Sequence, residues 1–294
     1  MRDNNSLSEK IIKIVFELIP ENKMLKPYEH PYSYIFRGVL FDLYRELDPN
    51  LVHRLHEYEE IRPYSINCII YNKIPKIDFI LTSFNKILSQ NVLDYFNSHC
   101  GETLNIGDKQ YLLSNIKIEI INLRNLIKKA RPVTSFSIKL VTPTSFNTIL
   151  GNFPVRFPLP SILFGNLINL WNNFFELKGE INKDSFIDWV NAHLYVSFYD
   201  LRTIKRKIEE SNAIYGAKGS VSYKITRINK FFYRKLMENK KEEQINNNYE
   251  RDYNEKCLWI DILCRFGEYT NVGVNRTAGM GVIKYFPKTY LKMN

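Results

Sequence analysis

The stretch Asn271-Val272-Gly273-Val274-Asn275-Arg276-Thr277-Ala278-Gly279-Met280-Gly281-Val282-Ile283-Lys284-Tyr285 follows an apolar helical run from Cys257 to Tyr269 and passes straight into an alternating strand pattern. Glycines this close together let backbone N–H groups approach an anion without Cβ interference, and Arg276 adds a cation beside them. The spacing is neither GxxxxGK[ST] nor GxGxxG after a strand, because five residues separate Gly273 from the Gly279-x-Gly281 pair and a strand follows. Nucleoside-triphosphate and dinucleotide readings therefore fail on context. A tight turn that binds nothing uses the same residues, so the meaning of the loop comes from what surrounds it.

Working backwards from the loop, the pattern predicts a helix over 258–269, strands around 219–226 and 194–199, a helix over 161–175 and a strand over 134–141. Residues 239–256, polar and mixed in charge, read as an exposed, mobile insertion. Asn122 to Pro132, with Lys128, Lys129 and Arg131, reads as a basic connector. Before it, residues 10–19 alternate like a strand and 33–47 carry a helical apolar stripe. Asp48-Pro49-Asn50 ends that stripe and introduces a short helix through His56. Strands are expected at 66–71 and 77–83, a helix at 85–99 stopped by Gly101, and a further strand at 111–121. The order β-α-β-β-α-β is the ferredoxin-like, RRM-like arrangement, and it occurs twice. The expected fold is α+β: tandem ferredoxin-like domains over 1–127 and 128–294, each an antiparallel sheet with helices on one face.

Composition narrows the partner. The 294 residues suit two domains, and 41 Lys+Arg against 31 Asp+Glu leave a net charge of +10. A pI near 9.2 points to an anion, with RNA, DNA and a membrane surface all compatible. No apolar run approaches the roughly 18 to 20 residues that span a bilayer. The run 11–19 is too short and too charged for a signal-peptide core, so the expected location is the cytoplasm. Cys68, Cys100, Cys257 and Cys264 form no C-x2-C pair; neither a zinc site nor a disulfide framework is indicated, and no cofactor is expected.

The helix, Gly-x5-Gly-x-Gly loop and terminal strand resemble the signature of the RAMP superfamily. More narrowly they resemble the CRISPR-associated endoribonucleases that cut precursor CRISPR RNA within its repeats. Val141-Thr142-Pro143-Thr144-Ser145-Phe146, then Phe157-Pro158-Leu159-Pro160 and the run Ile162 to Asn172, are similar to the opening of that family's C-terminal domain. Tyr34-Ile35-Phe36-Arg37-Gly38-Val39-Leu40-Phe41, leading through Asp48-Pro49 to Leu55-His56-Glu57, resembles its first helix and the segment holding its catalytic histidine.

The resemblance implies metal-independent cleavage, in which the RNA's own 2′-hydroxyl attacks and leaves 2′,3′-cyclic phosphate and 5′-hydroxyl ends. Histidine suits the proton transfers because its pKa of about 6.5 lies near working pH. Of His30, His53, His56, His99 and His193, only His56 falls on the family motif, as base or as acid. Arg62 stands where family members carry a lysine, supplying charge for the pentacoordinate phosphate. Phe41 replaces the family's first-helix tyrosine. Tyr44, one turn on, is the first substitute, with Tyr58 and His53 behind it; otherwise His56 works with Arg62 alone, or the protein mainly holds its RNA. For binding, Gly273, Gly279 and Gly281 should offer N–H groups to phosphates, with Asn275 and Arg276 beside them. Asn271 stands where the family loop has another glycine and is expected to tolerate αL. The basic run Arg202, Lys205, Arg206 and Lys207, with Lys218 and Lys224, offers a strand face to repeat RNA. The implied partners are precursor and mature guide RNA, effector-complex subunits and a second copy of the chain. A catalytically silent RAMP subunit is the alternative.

Overall fold

The computed structural model describes residues 10–21, 32–47, 61–71, 73–147, 153–175, 181–207, 213–227 and 242–291. Two antiparallel sheets carry the architecture. The first half runs β1 (Lys10–Pro20), α1 (Tyr32–Leu47), β2 (Tyr64–Tyr71), β3 (Lys76–Ser83), α2 (Lys86–Ser98), β4 (Thr103–Ile106) and β5 (Lys109–Asn122), with sheet order β2-β3-β1-β5-β4. After α3 (Leu123–Lys129) come β6 (Val133–Thr144), the short pair β7 (Phe146–Asn147) and β8 (Pro154–Val155), α4 (Pro160–Phe174) and α5 (Lys183–His193). The chain closes with β9 (Leu194–Lys207), β10 (Ala213–Ile225), α6 (Glu242–Thr270) and β11 (Ile283–Tyr290); the second sheet is ordered β11-β6-β10-β9. Setting β4 aside, both sheets show the ferredoxin-like order in which the last strand flanks the first. The expected tandem fold is what the structure has.

Period-2 apolar patterning fixes the register of the first sheet. Ile14 pairs with Leu81 on one side and Ile118 on the other, and Phe16 with Phe79 and Ile116, so one face is apolar across β3, β1 and β5. Phe36 of α1 stacks on Phe79 at 4.3 Å, and Phe96 of α2 meets Phe16 at 4.4 Å. Asn85 caps α2 by accepting from the Leu88 N–H at 3.1 Å. Gly101, expected to stop that helix, has a left-handed φ of 91° three residues past its end.

Four local readings change. The supposed insertion is helical from Glu242, because Tyr253 and Cys257 bury a stripe that continues into Ile260, Leu263 and Cys264. The basic connector holds α3, whose Leu123 and Leu126 are buried. Four further elements, β4, β7, β8 and α5, lie where no element was expected, and β9 and β10 form a hairpin much longer than the predicted strands. Among the described residues no helix is long and apolar enough to cross a membrane.

The two sheets share more than a linker. Ile11, Phe84, Leu123 and Leu126, all from the first half or its exit, pack in the core of the second. Phe84 stacks on Phe174 of α4 at 4.5 Å, with the rings 8° from parallel.

Candidate nucleic-acid site

The glycine-rich loop sits in the seam between the two halves. Asn271 and Asn275 adopt left-handed φ of 56° and 58°, so the expected αL tolerance of Asn271 holds. The Asn271 side chain donates to Ile66 O at 2.9 Å and to Arg276 O at 3.2 Å, tying the loop to β2 and to itself. Residues 276–278 make one 3-10 turn. At Gly279, φ is 81° and a Cβ would collide with the Ser33 hydroxyl of α1; that hydroxyl instead donates to Ala278 O at 2.9 Å. At Gly281, φ is 71° and a Cβ would strike the Val272 carbonyl. Gly279 therefore lets the Ser33 side chain of α1 pack against the loop backbone, and Gly281 lets the loop close on its own backbone at Val272.

This use changes what the loop can offer an anion. The N–H of Gly273 donates to Asn166 Oδ1, that of Gly279 to Arg276 O, and that of Gly281 to Pro143 O. These three donors are engaged inside the protein. Those of Asn275, Arg276 and Thr277 have no acceptor among the described residues, and all three residues line a cleft of about 1000 Å³. The donors available to a phosphate thus sit on the 3-10 turn.

Arg276 is not a surface cation. It is 7% exposed, donates to Thr270 O at 2.8 Å and to Arg62 O at 3.0 Å, and lies over the Phe174 ring. Burial pulls its pKa down from the usual arginine value to about 10, with Arg62 adding to the effect. Its charge reinforces the seam.

Arg62, immediately before β2, reaches Thr277 Oγ1 at 3.3 Å and lines the same cleft. The buried Tyr64 hydroxyl bonds to Thr277 and Arg37. Desolvation raises its pKa, opposed by the cations Arg37 and Arg62. Tyr64 was not singled out from the sequence, where it is one aromatic in an ordinary strand. The facing wall is mixed in charge: Asn166 and Asn169 on α4, and Lys183, Asp184 and Asp188 on α5. Anion affinity is thus confined to the Arg62 side.

His56 lies outside the described residues, as do His53 and Tyr58. Tyr44 is buried in the first core, its hydroxyl without a partner among the described residues, and desolvation holds its pKa far above normal. A phenol so placed neither reaches the cleft nor takes a proton, which corrects its selection as the catalytic substitute. Phe41 is buried with Arg37 over its ring. Neither Phe41 nor Tyr44 stands in for the family tyrosine at the cleft.

Arg202 and Lys205 belong to the exposed β9–β10 hairpin, away from the cleft lining. Arg202 pairs directly with Lys218 across the hairpin, and the Lys205 ammonium lies 5.5 Å from the Tyr215 ring centroid. Like charges opposite one another are unfavourable in isolation and suit a polyanion. The open face of the second sheet adds a feature the sequence reading missed. Phe286, Ser137, Ser222 and Phe198 stand in one cross-strand row, with the phenylalanines 48% and 62% exposed at its ends. The two serine hydroxyls bond at 2.7 Å, and Lys288 donates to Ser222 at 3.2 Å. The neighbouring rows carry Lys139 opposite Lys284 and Lys224 opposite Tyr195. Hindsight offers one signal: large apolar residues at outward positions of otherwise polar strands.

Comparison with known proteins follows the same lines. Residues 138–283 match the family model of the CRISPR-associated endoribonuclease Cas6. A CRISPR-associated endoribonuclease Cas6 of Streptococcus thermophilus is 26% identical over 153 residues, covering 51% of this chain and 50% of that protein. The chain thus spans about half the length of that curated relative. In three dimensions it is similar to Thermus thermophilus Cas6 in a product complex, with a TM-score of 0.72, 18% identity, and coverage of 95% of this chain and 100% of the other. A second Cas6 product complex gives 0.69, 17%, 94% and 99%. The resemblance drawn from the sequence is borne out, and the fold is that of Cas6 proteins over nearly the whole chain.

Proposed function

We propose that this chain, a Cas6-like protein of the RAMP superfamily, is an endoribonuclease that cleaves CRISPR repeat RNA in precursor transcripts to make guide RNAs. The observation that carries the reading is the Arg62–Thr277 contact. It brings Arg62, six positions after His56 in the sequence, against the glycine-rich loop at the cleft that Arg62 and Thr277 both line. On this reading the RNA's 2′-hydroxyl attacks the adjacent phosphate without a metal, leaving a 2′,3′-cyclic phosphate and a 5′-hydroxyl. His56 moves a proton as base or acid, and Arg62 stabilises the charge that develops on phosphorus. The free N–H groups of Asn275, Arg276 and Thr277 replace the glycine donors as the phosphate contact. The Phe198–Phe286 row and its lysines take an unpaired stretch of the RNA by stacking, and Arg202 and Lys205 hold its backbone. The working units are domains 1–127 and 128–294, acting in the cytoplasm, with precursor and guide RNA, effector subunits and a second copy as partners. The match to an endoribonuclease family over residues 138–283, with two similar Cas6 structures being product complexes, supports RNA as the substrate class.

A second reading has one observation in its favour. Phe41 has no hydroxyl and Tyr44 is buried in the first core, so neither of these α1 positions serves the reaction, which suits an RNA-binding subunit that does not cut. Incubation with repeat RNA in EDTA decides between them. The nuclease reading expects cleavage at one position with a 5′-hydroxyl product, abolished by His56→Ala and slowed about 10²- to 10³-fold by Arg62→Ala. Tight binding without cleavage supports the scaffold, and neither binding nor cleavage removes both.

A further inference from the structure

We propose that Tyr64 is a positioning residue for cleavage: through Thr277, its buried hydroxyl holds the Arg62 guanidinium at the cleft. The role rests on the nuclease reading and adds to it a group that touches no substrate. An arginine side chain carries about 2 kcal/mol of rotamer freedom, and moving a reacting or charge-stabilising group by about 1 Å costs about 100-fold in rate. A cation asked to meet charge on phosphorus therefore has to be held. Consecutive residues of the 3-10 turn hold Arg62 at both ends. Arg276 donates to its carbonyl at 3.0 Å, and its own Nη1 donates to Thr277 Oγ1 at 3.3 Å. The backbone end is firm, because Arg276 is itself buried and bonded to Thr270 O. The guanidinium's contact with the loop runs through a threonine hydroxyl, which can turn to other acceptors unless something fixes it.

Tyr64 fixes it. Arg37 of α1 has only donors, so it donates to the phenol oxygen, and the hydroxyls of Tyr64 and Thr277 share the next bond. One oxygen with two lone pairs and one proton lets Thr277 serve Tyr64 and Arg62 together. The series Arg37, Tyr64, Thr277, Arg62 thus joins α1, the start of β2 and the glycine-rich loop. Its central member is rigid: Tyr64 pairs with Ser83 of β3 and is 2% exposed, and Thr277 is buried beside it. Desolvation raises the Tyr64 pKa, so the phenol keeps its proton at neutral pH and works as a fixed dipole, taking no part in proton transfer. Tyr64 does not line the cleft, whereas Thr277 and Arg62 do.

Single-turnover cleavage of repeat RNA in EDTA, well below the melting temperature of every variant, tests this. Tyr64→Phe keeps the ring and removes the hydroxyl. Its rate at saturating RNA should fall about tenfold or more, with the half-saturating RNA concentration nearly unchanged. On top of Arg62→Ala the same substitution should cost nothing further, since Tyr64 acts through the guanidinium already removed. Arg37→Met, at a half-buried position, takes away the donor to the phenol and gives a second route. It should slow cleavage less, and that loss too should vanish in the Arg62→Ala background. Full rate in Tyr64→Phe overturns the proposal. So does a loss that multiplies with that of Arg62→Ala, which marks a structural role, or one confined to the half-saturating concentration. A wild-type chain that binds repeat RNA without cutting it fails the nuclease reading itself, and the positioning role goes with it.

Discussion

At the residue scale, Arg276 shows how far a side chain's type and its role can diverge. An arginine in a glycine-rich loop of a basic protein invites assignment to phosphate, yet this guanidinium is committed to the carbonyls of Thr270 and Arg62. Hydrogen bonds from a charged donor contribute about 1.5–3 kcal/mol each, and carbonyls left buried without a donor cost about 1–3 kcal/mol. Arg276→Met should therefore lower the melting temperature clearly. The number of phosphates neutralised, read from the slope of log affinity for repeat RNA against log salt, should stay unchanged. A slope reduced by about one, with stability intact, would return Arg276 to the RNA interface. Lysine is expected to rescue only part of the stability, because its compact ammonium lacks the fork that reaches both acceptors.

At the element scale, the open face of the second sheet yields the next expectation. Stacking of a base on an aromatic side chain contributes about 1–3 kcal/mol by alanine substitution. Phe198→Ala with Phe286→Ala should thus weaken binding of repeat RNA that carries an unpaired flank by about tenfold or more. Binding of a minimal fragment without the flank should hardly change. Filter binding with the two RNAs measures the difference, and equal losses on both would remove the stacking role. This row also marks the limit of what the sequence can say. Alternation along 10–19 and the apolar stripes of α1, α4 and the end of α6 identify those elements because each buries one face, and period follows burial. In the far half of the hairpin β9–β10, β9 is largely exposed on both faces, so it has no such pattern to read. Short β4 and α5, whose four buried residues make a thin stripe, fall below what periodicity resolves. In the loop, αL tolerance at Asn271 is local chemistry and was legible. That Gly279 faces Ser33, 246 positions away, is set by tertiary packing, and so is the internal engagement of the glycine N–H groups.

At the scale of the whole molecule, Ile61 and Arg62 join the cleft lining because the two halves are locked together, and the lock has identifiable parts. Ser65 donates to Tyr269 O at 2.6 Å, Asn271 to Ile66 O at 2.9 Å, and Phe84 inserts between Phe174, Phe175 and Phe266 of the other half. The hydrogen bonds fix register, while the phenylalanine adds apolar contact beside Ile11, Leu123 and Leu126. Truncating a buried phenylalanine to alanine costs about 3–5 kcal/mol. Here that loss falls on the joint more than on the first core, since Phe84 directly follows the last residue of β3 and packs in the core of the second half. The wild-type chain should accordingly unfold in one calorimetric transition. Phe84→Ala should split it in two, with Arg62 drawn away from Thr277 and cleavage lost at temperatures where both halves remain folded. A Phe84→Ala protein that melts in a single transition close to the wild-type temperature would show that the loop's hydrogen bonds alone hold the halves together. The geometry of the cleft would then depend on Asn271 and Arg276 instead.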